Sequence, residues 1–248
     1  MSDATASERP PPGASASRPL PASADSAVAS VQTEAIPAFD YPVCLRLTGK
    51  RVLLVGGGEV AGQRLQALVD AGAVVVVVAP ELSPAVATIL LAQPVRWEAR
   101  EFVAKDLDGV AIVFVATDDK AVSVEVARLA RSRGLWINTA DVPDLCDFTL
   151  PAVGRRGPVT VAVSTTGAAP AVARRLRDEL TSHVSHRHLG LIRVVQTLRR
   201  RLPAGAARMK FIRGVIDGDV GSALLRGEQR VAFRRLREAL KTHESAAS

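Results

Sequence analysis

Aromatic side chains make up only 4% of this 248-residue chain, and cysteine occurs just twice, at Cys44 and Cys146. The first scarcity leaves no stacking platform of the kind that holds single-stranded nucleic acid. The second, with no C-x-x-C pair, excludes a disulfide framework and a cysteine-rich zinc site, and makes the reducing cytoplasm the expected compartment. Long apolar runs are missing too: the richest, at 71–79, falls far short of the roughly 20 residues that a membrane helix needs. No basic segment leads into an apolar one at the start of the chain, as it would in a secretory signal. Acidic charge is the last deficit. Asp and Glu number 25 against 32 Lys and Arg, a formal net charge of +7, which favours acidic partners: nucleic acid, an anionic membrane, or a polycarboxylate or phosphate ligand.

What is present is a chain that is 48% hydrophobic, enough for one well-buried domain and a smaller one. Residues 1–38 are Ala, Ser and Pro with almost no large apolar side chain, so they are predicted to be a disordered tail. Residues 39–47 form a short apolar lead-in, expected to pack beside a sheet. Residues 51–61, RVLLVGGGEVA, then organise everything that follows. A β-branched and leucine run too short for a helix breaks into three glycines and turns helical. Gly56, Gly58 and Ala61 stand at the spacing of the dinucleotide fingerprint G-x-G-x-x-G/A, in which glycines give a tight turn and let backbone approach a pyrophosphate. The helix over 60–71 would aim its free amides at the phosphates.

Alternation continues beyond it. A strand is predicted at 73–78, a helix at 83–91 with Ser83 as cap and Pro84 first, strands at 95–99 and 110–116, a helix from the Thr117-Asp118-Asp119 cluster through Arg131, and a fifth strand at 135–138. This is the pattern of an α/β fold, a Rossmann-type doubly wound parallel sheet whose ligands lie outside the carboxyl ends of the strands. Three such ends, 56–59, 117–119 and 138–141, should converge on one cleft. Beyond Phe148 a strand is expected at 157–164, a helix from Pro170 to about His183, and basic helices at 188–201, 206–216 and on through Lys241. The expected division is a nucleotide-binding domain at 39–148, a smaller dimerisation region at 149–184 and a helical C-terminal domain at 185–248.

The motifs GGGEVA at 56–61, ATDD at 116–119, NTAD at 138–141, CDFTLPA at 146–152 and VAVSTTGAAPAVARRLR at 161–177 resemble, taken together, the precorrin-2 dehydrogenase family, which forms the N-terminal half of sirohaem synthases. The resemblance implies NAD-dependent oxidation of precorrin-2 to sirohydrochlorin, followed in some members by insertion of ferrous iron as a co-substrate, in a cytoplasmic homodimer. It places the family's key carboxylate on Asp141, for which general-base work is plausible chemistry because a proton must leave as a hydride does; capping the loop before Pro143 is the plainer alternative. It lays Glu59 and Val60 against the cofactor, with Pro80 and Glu81 near the adenosine ribose. An acid about 20 residues past the glycines usually grips that ribose; here Glu81 is the nearest, so the choice of NAD over NADP leans on the resemblance.

Thr117 and Asp118 can contact the cofactor or cap the next helix, and capping suits Asp118 better. Asn138, Ser164, Thr165 and Arg174 are the expected substrate contacts. Some relatives carry consecutive serines where Ser164 and Thr165 stand, and Arg174 shares a helix face with Arg177 but not Arg175, giving guanidinium groups for a polycarboxylate tetrapyrrole. His183, His186 and His188 do not share one face and have no acidic or cysteine neighbour, so no metal site is expected. The rival function is an NAD-responsive regulator gripping DNA through Arg199-Arg200-Arg201 and Arg234-Arg235; without helix-turn-helix spacing, and with a polyanionic substrate to explain the charge, neither nucleic acid nor membrane is an expected partner.

Overall fold

The computed structural model describes residues 40–245; the predicted tail at 1–38 lies outside them. Five parallel strands make the main sheet: β1 (Arg51–Val55), β2 (Val74–Val78), β3 (Arg96–Glu98), β4 (Ile112–Val115) and β5 (Trp136–Thr139), in spatial order β3-β2-β1-β4-β5. The reversal of direction from β1 to β4 is the switch point at which doubly wound sheets open a crevice.

Strand sequence follows from burial on both faces. Leu53, Val55, Val76, Val78, Val113, Val115 and Ile137 belong to one core cluster, while Val52, Leu54, Val75, Val77, Ile112 and Phe114 belong to another. Side chains alternate along a strand, so a strand covered on both sides must be apolar at every position, and β2, β4 and the part of β1 after Arg51 read that way. The second cluster is closed by α1 (Glu59–Asp70) through Ala61, Leu65 and Leu68, and by Val86 of α2 (Pro84–Ala92); the first is closed by Val126, Ala127 and Ala130 of α3 (Lys120–Ser132). Ser83 caps α2 as expected, its hydroxyl accepting from the Val86 amide at 3.4 Å. The cap of α3 is Asp119, which accepts from Ala121 and Val122 at 2.8 and 3.1 Å, and not Asp118. Two consecutive acids precede that helix, and the register of its first turn selects the second.

Other differences from expectation have physical causes. Among the described residues of the lead-in, Leu47 packs against the sheet core, while Tyr41, Val43 and Leu45 are exposed. Beyond the main sheet, β6 (Ala152–Arg156) and β7 (Val159–Val163) form an antiparallel hairpin over Gly157 and Pro158, where a single strand was expected. Then follow α4 (Pro170–His183), which packs on the hairpin, α5 (His186–Arg201), α6 (Ala206–Asp217), α7 (Asp219–Arg226) and α8 (Gln229–Ser245). The expected last helix is thus two, divided where Gly227 takes a left-handed turn at φ +89°. Leu198, Ile212, Val215, Val220, Ala223, Leu224 and Ala232 form the core of this helical part. No helix among the described residues is long and apolar enough to cross a membrane.

One ion pair ties down the segment between β3 and β4. Arg100 donates to both oxygens of Asp106 at 2.9 and 2.7 Å, and the Val103 amide adds a third bond at 2.9 Å. Burial works to raise the Asp106 pKa, but these hydrogen bonds, with the charges of Arg100 and Arg51, outweigh it and hold the carboxyl below its ordinary value. A carboxyl depressed in the folded state contributes stability that is complete above the unfolded-chain value of about 3.9 and drains away as pH falls through the folded value. The urea midpoint of the wild-type protein is therefore expected to drop below about pH 4, and Asp106→Asn to lower the midpoint at neutral pH while flattening that acid limb. Parallel curves for the two proteins would remove this pair as the source.

Candidate functional site

Register puts the carboxyl ends of the strands level. Val55 pairs with Val78 on one side and with Val115 on the other, and Val115 pairs with Thr139. Pairing runs one residue further, through Gly56 N to Val78 O at 2.9 Å, Ala116 N to Val55 O at 2.8 Å and Ala140 N to Val115 O at 2.8 Å. Gly56, Ala79, Ala116 and Ala140 therefore stand in a row at strand spacing, and the loop carrying Asp141 begins two strands, roughly 10 Å, from the glycine turn.

The glycines differ in what requires them. Gly56 lies at φ +118°, and a Cβ there would run into the Ala116 carbonyl. Gly58 has ordinary backbone angles, φ −79° and ψ −172°, and a Cβ would meet nothing within 4 Å. Nothing in the protein forbids a side chain at Gly58; the open space in front of it is what a bound group would use. Gly58 is also the N-cap of α1, which has no side-chain cap, so the amides of its first turn are free for an anion. This is the cradle that a pyrophosphate fits. Ala61 is fully buried against the sheet. Glu59 and Val60 are exposed at the helix start. The loop holding Pro80 and Glu81 docks on the same turn, with Ser83 N donating to Gly57 O at 2.7 Å, and both residues are exposed. Thr117 follows Ala116 and accepts from the Asp119 amide at 3.3 Å; Asp118 beside it is exposed.

Asp141 follows β5 at φ +58°, left-handed, a conformation that Asp and Asn tolerate better than other residues with a Cβ. Its notable neighbour is Arg64 of α1. Burial pushes the half-buried Arg64 guanidinium below its ordinary value, while Asp141, and after it Cys146, act in the opposite sense. No sequence signal singled out Arg64, because an arginine in the middle of an amphipathic helix reads as a solvated charge.

The remaining expected residues divide. Asn138, expected as a substrate contact, is buried, and its amide donates to the Phe148 carbonyl at 2.9 Å, which clamps the returning loop. Ser164, Thr165 and Arg174 do come together, with Arg177, along a groove of about 310 Å3 between the hairpin and α4. Arg174 and Arg177 share that wall, and Arg177 also donates to the Val153 carbonyl at 3.0 Å. The Thr165 hydroxyl accepts from the Ala169 amide at 3.1 Å, which leaves its O–H to donate elsewhere. Asp141 does not line this groove. His183 bonds the Glu179 carbonyl and His188 bonds Ser185, and no group of three His, Cys, Asp or Glu side chains placed to hold a metal occurs among the described residues.

Comparison with known proteins adds to this geometry. A family model for NAD(P)-binding matches residues 43–152, and one for the central region of a sirohaem biosynthesis protein matches 156–183. The siroheme synthase of Methylococcus capsulatus is 40% identical over 206 residues, 81% of this chain and 44% of that protein. Siroheme synthase 3 of Aeromonas hydrophila is 38% identical over 214 residues, 84% and 45% of the two chains. The chain thus spans less than half the length of these curated relatives. Among solved structures, SirC, precorrin-2 dehydrogenase, superposes with a TM-score of 0.63 at 26% identity, covering 83% of this chain and all of that one.

Proposed function

From its likeness to the sirohaem biosynthesis central region, to siroheme synthases and to the solved precorrin-2 dehydrogenase SirC, we propose that the chain belongs to the precorrin-2 dehydrogenase family and oxidises precorrin-2 to sirohydrochlorin in the cytoplasm, using NAD. The observation that carries this reading is the alignment of the glycine turn and Asp141 along one row of strand ends. The backbone of Gly56 and Gly58 and the uncapped first turn of α1 would hold the pyrophosphate, with Glu59, Val60, Ala61 and Thr117 against the dinucleotide and Pro80 and Glu81 at its ribose; Asp118 keeps only an outer contact. The bound nicotinamide supplies the hydride acceptor. Asp141 takes the proton that leaves as the macrocycle loses its hydride, which balances the two-electron oxidation. Arg64 keeps a positive charge beside that carboxylate. Ser164, Thr165 and Arg174 receive the substrate's carboxylates. Ferrous iron insertion into the product is a second step of the same reading.

Assay of the purified protein with enzymatically generated precorrin-2 and NAD should give NADH; no NADH from competent substrate would sink the claim. The same assay with NADP reads the cofactor preference, and added ferrous iron reads the second step. No observation favours the regulatory alternative.

We keep the three-part division at 39–148, 149–184 and 185–248, with the middle part as the dimerisation region. Along α4, Val172, Leu176 and Leu180 are 52%, 40% and 49% exposed and recur every four residues, an apolar stripe left open among the described residues. A second copy would cover it and add wall to a groove that, at about 310 Å3, is at the small end of small-molecule sites. Light scattering is expected to give a dimer for the wild type and a monomer for Leu176→Glu/Leu180→Glu. A monomeric wild type at working concentration would remove this part of the proposal.

A further inference from the structure

The loop that presents Asp141 is wound around one sulfur atom. Cys146 Sγ accepts from the Thr139 amide at 3.2 Å and lies 3.1 Å from the Thr139 carbonyl and 3.4 Å from the Val142 carbonyl, both within reach of its S–H. The Asn138 amide adds a contact at 3.5 Å. Thr139 and Val142 bracket Asp141 in sequence, so the sulfur sits inside the turn whose outer residue is Asp141. One residue on, Asp147 completes the attachment. It exchanges two bonds with Ile137, its amide donating to the Ile137 carbonyl at 2.8 Å and its carboxylate accepting from the Ile137 amide at 3.1 Å, while Arg131 grips the other carboxylate oxygen at 2.9 Å. Residues 146 and 147 therefore stand in for a further strand along the free edge of β5, with a thiol and a carboxylate doing part of what backbone would do.

The two anchors differ in what they hold. Asp147 fixes the loop to the sheet and to α3. Cys146 alone bonds on both sides of Asp141, and Asp141 occupies a left-handed conformation that needs such support. We propose that Cys146 is the positioning residue for Asp141: its thiol closes the turn that aims the carboxylate at the substrate, and its chemical contribution is made wholly through that carboxylate. This rests on the role given to Asp141 above.

The test is a double-mutant cycle, following NADH formation with precorrin-2 and NAD, with NAD affinity and melting temperature measured on every variant. Cys146→Ala and Cys146→Val, the second close in volume but without hydrogen bonds, are each expected to lower kcat on the order of 10- to 100-fold, with NAD affinity unchanged. Cys146→Ser, which keeps a donor and an acceptor, should recover most of the loss. Asp141→Asn/Cys146→Ala should be no slower than Asp141→Asn alone, because a group that acts only through the carboxylate has nothing left to position. Wild-type kcat in Cys146→Val beside a crippled Asp141→Asn overturns the inference and leaves the proposed function standing, as does a multiplicative loss in the double variant. Wild-type kcat in Asp141→Asn instead overturns the role of Asp141, and this inference with it.

Discussion

Asp141→Asn is expected to lower dehydrogenase turnover by about 10²- to 10⁴-fold, the range for loss of a general base, while NAD affinity stays near the wild-type value. Asparagine is the informative replacement. The backbone at this position is left-handed, φ +58°, and Asn tolerates that region at least as well as Asp, so the variant removes the proton acceptor and spares the turn. Alanine would add a strain cost of roughly 1 kcal/mol or more and mix a folding effect into the kinetics. The cofactor cradle lies about two strand spacings away and shares no hydrogen bond with Asp141, which is why affinity for NAD should not move. Turnover within a few-fold of wild type would dismiss Asp141 as the base.

The two fingerprint glycines should fail in opposite ways. Gly56→Ala is expected to cost about 3 kcal/mol or more of stability, because the added Cβ meets the Ala116 carbonyl from a backbone that cannot retreat without breaking its pairing with Val78, and φ +118° is itself adverse for alanine. Gly58→Asp is expected to leave the melting temperature unchanged or slightly raised. Its backbone angles suit any residue, its Cβ enters open space, and an aspartate there is a better N-cap than glycine for the free amides of α1. The same carboxylate would take the place of the pyrophosphate and repel it, so NAD affinity should fall at least about 100-fold, or roughly 2.8 kcal/mol. Calorimetric unfolding beside NAD titration separates the two variants. An unstable Gly58→Asp protein, or one that binds NAD normally, would mean that the space before Gly58 is not the phosphate site.

The sheet was legible in the sequence because its central strands are buried on both sides. Residues 52–55, 74–78 and 112–115 have no polar position to confuse the period, and they are punctuated by Ser83-Pro84 and by Gly72, which takes a left-handed turn just past the end of α1. The hairpin strand β6 was not legible. Its sequence, AVGRR, ends in two arginines and is only partly buried, and its pairing is decided by contacts with β7 and α4 that no local pattern records. The site shows the same division. Gly56, Gly58 and Asp141 stand out in the sequence because turn chemistry and motif are local. The clamp made by Asn138 was not legible, because a polar residue at a strand end looks alike whether it meets solvent or a loop folding back over it, and here Phe148 returns to stack edge-on against Phe114 at 5.6 Å while its carbonyl accepts from the Asn138 amide. Arg64 of α1 escaped notice for a related reason: the carboxylate whose charge it feels lies in the loop after β5, far away in sequence.

Leaving the first turn of α1 without a side-chain cap also makes part of the fold ligand-dependent. The amide protons of Glu59, Val60 and Ala61 have no acceptor within the helix, so without ligand they should trade with solvent deuterium far faster than the rest of α1, and slow together once phosphate oxygens accept them. By mass action the same contact adds RT ln(1 + [L]/Kd) to the folding free energy, close to 2.7 kcal/mol at a hundredfold excess over Kd. In a cell whose dinucleotide pool rises and falls, the lifetime of this protein would rise and fall with it.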